Sequence, residues 1–156
     1  MAFPARTASA AHLCTRNRHC LRRRFAAGDG GKQPGLGSTP KTRAGAVELY
    51  GRWAPSYDIT VRSWGYSSPA RVAALMKAYA LKTSQLPLLD AGCGTGLSGE
   101  ALWAAGFRHL VGVDVSQEML NLCKAKQLYS ALHCCDLEGS TGPLPLADDS
   151  VAAVAC

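Results

Sequence analysis

No uninterrupted apolar stretch in this chain approaches the about 20 residues that a membrane-spanning helix needs, and the amino-terminal residues lack the apolar block of a secretory signal. Neither membrane insertion nor secretion is expected, and a cytoplasmic protein is. Acidic residues are missing before Asp29. That aspartate alone opposes nine basic residues in the first 46 (Arg6, Arg16, Arg18, Arg22, Arg23, Arg24, Lys32, Lys41 and Arg43), whereas residues 47–156 hold eight basic and ten acidic residues. The formal net charge of +6 therefore belongs to the amino-terminal extension and not to the body. Regular cysteine spacing is also missing. The seven cysteines fall at 14, 20, 93, 123, 134, 135 and 156, and an odd number cannot all pair within one chain. Reduced, mostly buried thiols are expected in place of a disulfide framework. His12, Cys14, His19 and Cys20 lack the ligand spacing of a standard zinc site, so no metal is expected.

Residues 28–45, "GDGGKQPGLGSTPKTRAG", are too rich in Gly and Pro to hold regular structure for long. They divide the chain into a basic extension, 1–46, expected to be disordered, and a folded body, 47–156. The extension is rich in Arg, Ala, Ser and Thr, which fits a mitochondrial transit peptide as well as a solvated tail. Its most basic run, "RNRHCLRRR", has no interleaved aromatics and no recognisable module, which argues against a nucleic-acid surface.

The body opens with "VELYGRWAPSYDITVRSWGYSSPARVAALMKAYAL", holding Tyr50, Tyr57, Tyr66 and Tyr79 with Trp53 and Trp64. Ser68 followed by Pro69 reads as a helix start, and Val72, Leu75, Met76 and Tyr79 recur at helical spacing, predicting one core-facing stripe. Strands and helices then alternate. "LPLLDA" (86–91) reads as a strand, 95–105 as a helix stopped by Gly106, and "HLVGVD" (109–114) as a second strand. Ser116 reads as the cap of a helix running through Lys126, followed by strands at 129–135 and 150–156. Such alternation with short connections predicts an α/β parallel sheet, whose ligands sit at the carboxyl ends of the strands.

Behind the first strand lies "LLDAGCGTGLSG" (88–99). Gly92, Gly94 and Gly96 form G-x-G-x-G, and Gly94, Gly96 and Gly99 also satisfy the dinucleotide fingerprint G-x-G-x-x-G. Between a strand and a helix, such glycines let a ligand approach the main chain and the helix N-terminus. Counting glycines does not distinguish the ligands; charge does. Asp90 lies two residues ahead of Gly92 and is badly placed beside a pyrophosphate, but it suits a cation. S-Adenosylmethionine carries an ammonium, a sulfonium and no phosphate, so a carboxylate here can hold its methionine portion. Asp114 ends the second strand, 22 residues after Gly92, where a carboxylate can accept ribose hydroxyls from either ligand. Asp136 ends the third strand, where it can accept from an adenine amino group while Leu137 offers backbone and an apolar side chain. His109 and His133 lie at or within strands and read as structural, and nothing adjacent in sequence activates Cys93 or Cys134 as a thiolate.

"LLDAGCGTG", "GVDVSQEML", "CCDLE" and "LPLADDSVAAVAC" resemble, in order, the consecutive motifs of class I S-adenosylmethionine-dependent methyltransferases, and "LYGRWAPSYD" resembles the segment that precedes the sheet in many small-molecule members. The resemblance covers about 47–156 and implies a Rossmann-like fold, of whose seven strands about four are present. It further implies that Asp90, Gly92, Gly94 and Gly96 line the methionine and ribose portions of the cofactor and Asp114 the ribose. Met119 would take one adenine face, Asp136 and Leu137 the adenine edge, and Tyr57 would belong to the segment closing over the cofactor. The family's later strands and acceptor loop are not found, so the resemblance implies a truncated form of low activity whose fourth strand offers an edge to other chains. The acceptor, a small molecule or a protein, is not identified. Two other readings stay open: a fragment of an NAD-type oxidoreductase, and a non-enzymatic truncated product.

Overall fold

The computed structural model describes residues 40–80, 85–139 and 142–156, all within one compact unit, Lys32–Cys156. The extension up to residue 39, with its targeting and zinc readings, lies outside the described residues. Regular structure starts earlier than the expected boundary at 47. Helix α1 runs Arg43–Ser63, because Thr42 is extended and its side-chain oxygen accepts from the Gly45 amide at 3.1 Å, capping an end that the Gly/Pro content obscured. Replacing Thr42 by alanine should cost about 1 kcal/mol at this end, speeding amide exchange at Gly45 and Ala46 about fivefold. Unchanged exchange would show that the cap does not matter. The 21-residue α1 also contains Pro55, which lacks a backbone donor and disfavours a helix interior. It is held instead by its buried side: Trp53, Val61 and Leu97 pack together, with Tyr57 and Trp64 against them.

Helix α2 (Ser68–Tyr79) has Pro69 in its first turn, as expected, but Ser67 occupies the cap position and makes no side-chain bond. Its core stripe differs from the predicted one. Ala73 is buried, with Val72 and Met76 packed beside it, whereas Leu75 and Tyr79 are 58% and 82% exposed. The small Ala73 sets the contact face, and Leu75 and Tyr79, one turn apart, fall on its outer flank.

Four parallel strands follow, β1 (Leu88–Ala91), β2 (Leu110–Asp114), β3 (Ala131–Cys134) and β4 (Ala153–Ala155), in the spatial order β3-β2-β1-β4. Helices α3 (Leu97–Ala104) and α4 (Gln117–Ala125) make the crossovers. Gly106 stops α3 in the left-handed region, and the Ser116 side chain caps α4 by accepting from Met119 N, both as the sequence predicts. The α/β parallel sheet and its four strands are likewise as expected. Leu88 pairs with Leu110 and Leu89 with Val111. Leu88, Leu110 and Ala155 meet Ala73 and Leu102 on the helical face, while Leu89, Val111 and Val113 form the opposite core with Cys135, Leu146 and Val151. The two central strands are buried almost throughout, which explains their nearly continuous apolar sequence. Because β2 lies on one side of β1 and β4 on the other, the chain order reverses beside β1, and the glycine loop leaves its carboxyl end at that point.

Candidate functional site

Three glycines at alternate positions give the loop its shape. Gly92, Gly94 and Gly96 have φ of 78°, 53° and 89°, in the left-handed region where a side chain is strained. The amides of Gly92 and Cys93 both donate to Val113 O at 2.9 Å, stitching the loop to β2. Asp114 completes the fastening: its Oδ2 accepts from Gly94 N at 2.7 Å and its Oδ1 from Ser116 N at 2.9 Å. One carboxylate thus holds both the glycine loop and the start of α4.

The glycines divide by what surrounds them. A Cβ on Gly92 or Gly94 would meet nothing within 4 Å, so that side of the main chain is open to a ligand. A Cβ on Gly96 would lie 3.0 Å from Cys123 Sγ, so Gly96 serves the close packing of α3 on α4.

Two adjoining cavities share Gly92, Asp114, Val115 and Ala46. The larger, about 370 Å³, is bordered by Arg43, Cys135, Asp136 and Leu137; the smaller, about 260 Å³, by Tyr50, Tyr57, Gly94 and Met119. Seven of the nine residues expected from sequence (Tyr57, Gly92, Gly94, Asp114, Met119, Asp136 and Leu137) therefore meet in one cleft at the carboxyl ends of β1, β2 and β3. Asp90 and Gly96 do not line it.

Asp90 is 2% exposed, and its Oδ2 accepts from the Tyr129 hydroxyl at 2.6 Å. Burial pushes its carboxyl above the ordinary range, the Tyr129 hydrogen bond pulls it back, and the nearby Asp114 raises it again. Tyr129 fills a slot cut by two further glycines. A Cβ on Gly99 would collide with its hydroxyl and ring, and one on Gly112 would lie 3.1 Å from its ring and 2.7 Å from Leu132. Sequence reading missed Tyr129, and the available signal was Gly99 and Gly112 within otherwise regular elements, which marks close approach.

Asp136, 7% exposed, accepts from Glu138 N at 2.9 Å and lies 3.6 Å from Arg43 Nε at the head of α1. Leu137 is half exposed and Met119 buried. The Tyr57 hydroxyl is pushed up to about 12, chiefly by burial and then by Tyr66, Tyr50, Asp58 and Asp114, so it stays protonated and can donate. Cys93 is a poor nucleophile, since its hydrogen bond with Cys123 and its burial both raise the thiol. Cys93, Cys123, Cys134, Cys135 and Cys156 are all free thiols. No helix among the described residues is long and apolar enough to cross a membrane.

Comparison with known proteins gives this geometry a context. Residues 88–156 match the model of a methyltransferase domain family. Methyltransferase-like protein 27 of Homo sapiens is 35% identical over 133 residues, covering 81% of this chain and 54% of the human protein. The malonyl-[acyl-carrier protein] O-methyltransferase of Pectobacterium atrosepticum is 37% identical over 107 residues, covering 67% and 38%. Among solved structures, an S-adenosylmethionine-dependent methyltransferase of Leishmania major superposes with a TM-score of 0.50 at 18% identity, over 69% of this chain and 46% of that one, a likeness of fold. The chain spans about half the length, or less, of these relatives. Residues 88–156 are thus a methyltransferase domain, in a chain of which 81% aligns at 35% identity with a methyltransferase-like relative.

Proposed function

We propose that this chain forms the S-adenosylmethionine-binding side of a methyltransferase. The observation that carries the reading is the charge of the cavity over Gly92 and Gly94: Asp114 is its one charged side chain among the described residues, flanked by the neutral hydroxyls of Tyr50 and Tyr57. Asp90 adds a second carboxyl close enough for the two to feel each other. A pyrophosphate would meet repulsion there, since Lys41 and Arg43 border only the adjoining cavity, whereas a cationic ligand is stabilised.

The residues fit the cofactor in the following way. The open main chain of Gly92 and Gly94 takes its methionine and ribose side, Asp114 accepts from ribose hydroxyls with lone pairs its two amide bonds leave over, and Met119 supplies an apolar face. Asp136 and Leu137 take the adenine edge, where Arg43 must yield its place beside Asp136 to an adenine amino group. Asp90 acts on the methionine end through its field and not by contact. The cofactor supplies a methyl group on a sulfonium, a good leaving group, so the protein contributes alignment and the exclusion of water. The charge of the cavity and the family match give no support to the oxidoreductase reading.

Calorimetric titration tests this. S-Adenosylhomocysteine should bind and NAD should not, and tighter binding of NAD would reverse the assignment.

A further inference from the structure

We propose that Asp58 and Lys126 are positioning residues for this site: they clamp α1 to the glycine loop through the Thr95 hydroxyl, and so set where Tyr57 stands over Gly92 and Gly94. The proposal rests on the cofactor reading above. Thr95, in the turn between Gly94 and Gly96, is 2% exposed, and its Oγ1 donates to Asp58 Oδ1 at 2.5 Å. The other Asp58 oxygen takes Lys126 Nζ at 2.8 Å. Lys126 also meets Glu100 Oε1 at 2.8 Å, and Glu100 Oε2 takes Arg62 Nη2 at 2.5 Å. Acid and base alternate along this chain, which joins α1, the loop, α3 and α4.

Each member is placed where a charge is favoured. Glu100 lies in the first turn of α3, where the helix dipole stabilises a carboxylate, and Lys126 is the C-cap of α4, where it stabilises a cation. The Lys126 and Asp58 side chains are only 19% and 30% exposed, so solvent screens this pair less than an open surface pair. Neighbours on a helix point about 100° apart, so Asp58 can hold the loop while Tyr57 lines the cavity.

The clamp has a task because Val113 and Asp114 fasten the loop only as far as Gly94, whereas the Thr95 side chain beyond it is held by Asp58, beside a left-handed Gly96. Ordering it before the ligand arrives removes a cost from binding.

Two measurements on the full chain test the proposal. Amide exchange at Gly94, Thr95 and Gly96 without ligand should quicken about tenfold in Asp58→Asn and Thr95→Val, and remain near wild type in Thr95→Ser, which keeps the hydroxyl. S-Adenosylhomocysteine binding should weaken about tenfold in Asp58→Asn, Thr95→Val and Lys126→Met, with Thr95→Ser and Lys126→Arg restoring it. The double variant Asp58→Asn/Thr95→Val should bind no worse than the weaker single, since both remove one link. Unchanged exchange, or binding lost equally in Thr95→Ser and Thr95→Val, overturns the clamp. Lys126→Met changes a helix end and keeps the apolar stem, so it remains folded and informative if Thr95→Val does not. A wild-type chain that fails to bind the ligand overturns the cofactor reading and the positioning role together, and exchange would then report only a loop staple.

Discussion

Replacing Asp114 by alanine is expected to weaken S-adenosylhomocysteine binding about 30- to 100-fold, the largest effect of any single change in the cleft, because charge-assisted hydrogen bonds to the ligand go at once with the loop's fastening. Asp114 accepts from Gly94 N and Ser116 N, so the alanine variant frees the glycine loop and the start of α4. Loss of both bonds should also lower stability by about 2 kcal/mol. Asp114→Asn separates the two roles. Its carbonyl oxygen can keep one amide bond while the charge is gone, so stability should recover more than affinity does. Calorimetry on the three proteins, beside thermal unfolding, reads both quantities. Equal affinity in all three would remove the ribose assignment.

Tyr129→Phe is expected to destabilise the fold by about 2 kcal/mol or more at neutral pH while leaving the cleft's lining intact, because it strips the donor from a buried carboxylate. Asp90 is almost fully enclosed, and the Tyr129 hydroxyl is its side-chain hydrogen-bond partner. The sign with pH follows from burial, which raises the Asp90 carboxyl in the folded state. Between the unfolded and the folded pKa the native protein holds more protons than the unfolded chain, so stability falls as pH rises through that window. Removing the Tyr129 hydroxyl, which pulls the carboxyl down, widens the window, so the variant's loss should grow from acid to neutral pH and shrink below the unfolded pKa. Denaturant unfolding at several pH values measures it. In an Asp90→Asn background the same Tyr129→Phe change should cost less, since no buried charge is left without a donor. A pH-independent loss of equal size in both backgrounds would place the role of Tyr129 in packing alone.

The glycine loop was legible because its pattern is local. A strand, three glycines and a helix lie within 20 residues, and the backbone there needs left-handed conformations that few other residues adopt cheaply. Asp114 was legible for the same reason, ending a strand whose apolar run announces it, and Asp136 follows β3 by two residues. Helix α1 was not, because Pro55 and the preceding Gly/Pro-rich stretch both argue against a helix that is held by contacts with Leu97, far along the chain. The outer flank of α2 was misjudged because helical spacing alone does not say which side of a broad apolar stripe its neighbour, here α3, will meet.

By itself, then, the sequence determined the α/β class, the position of the loop, and the acids that strand ends carry to one side, all consequences of short-range pattern. Tertiary structure alone decided what each of those residues faces. It turned Asp90 inward to Tyr129 and left Asp114 on the cleft, and it brought Asp58 and Lys126, 68 residues apart, onto one carboxylate–ammonium contact at the loop. The physical reason is that burial and pairing depend on which elements pack together, and no local period encodes that.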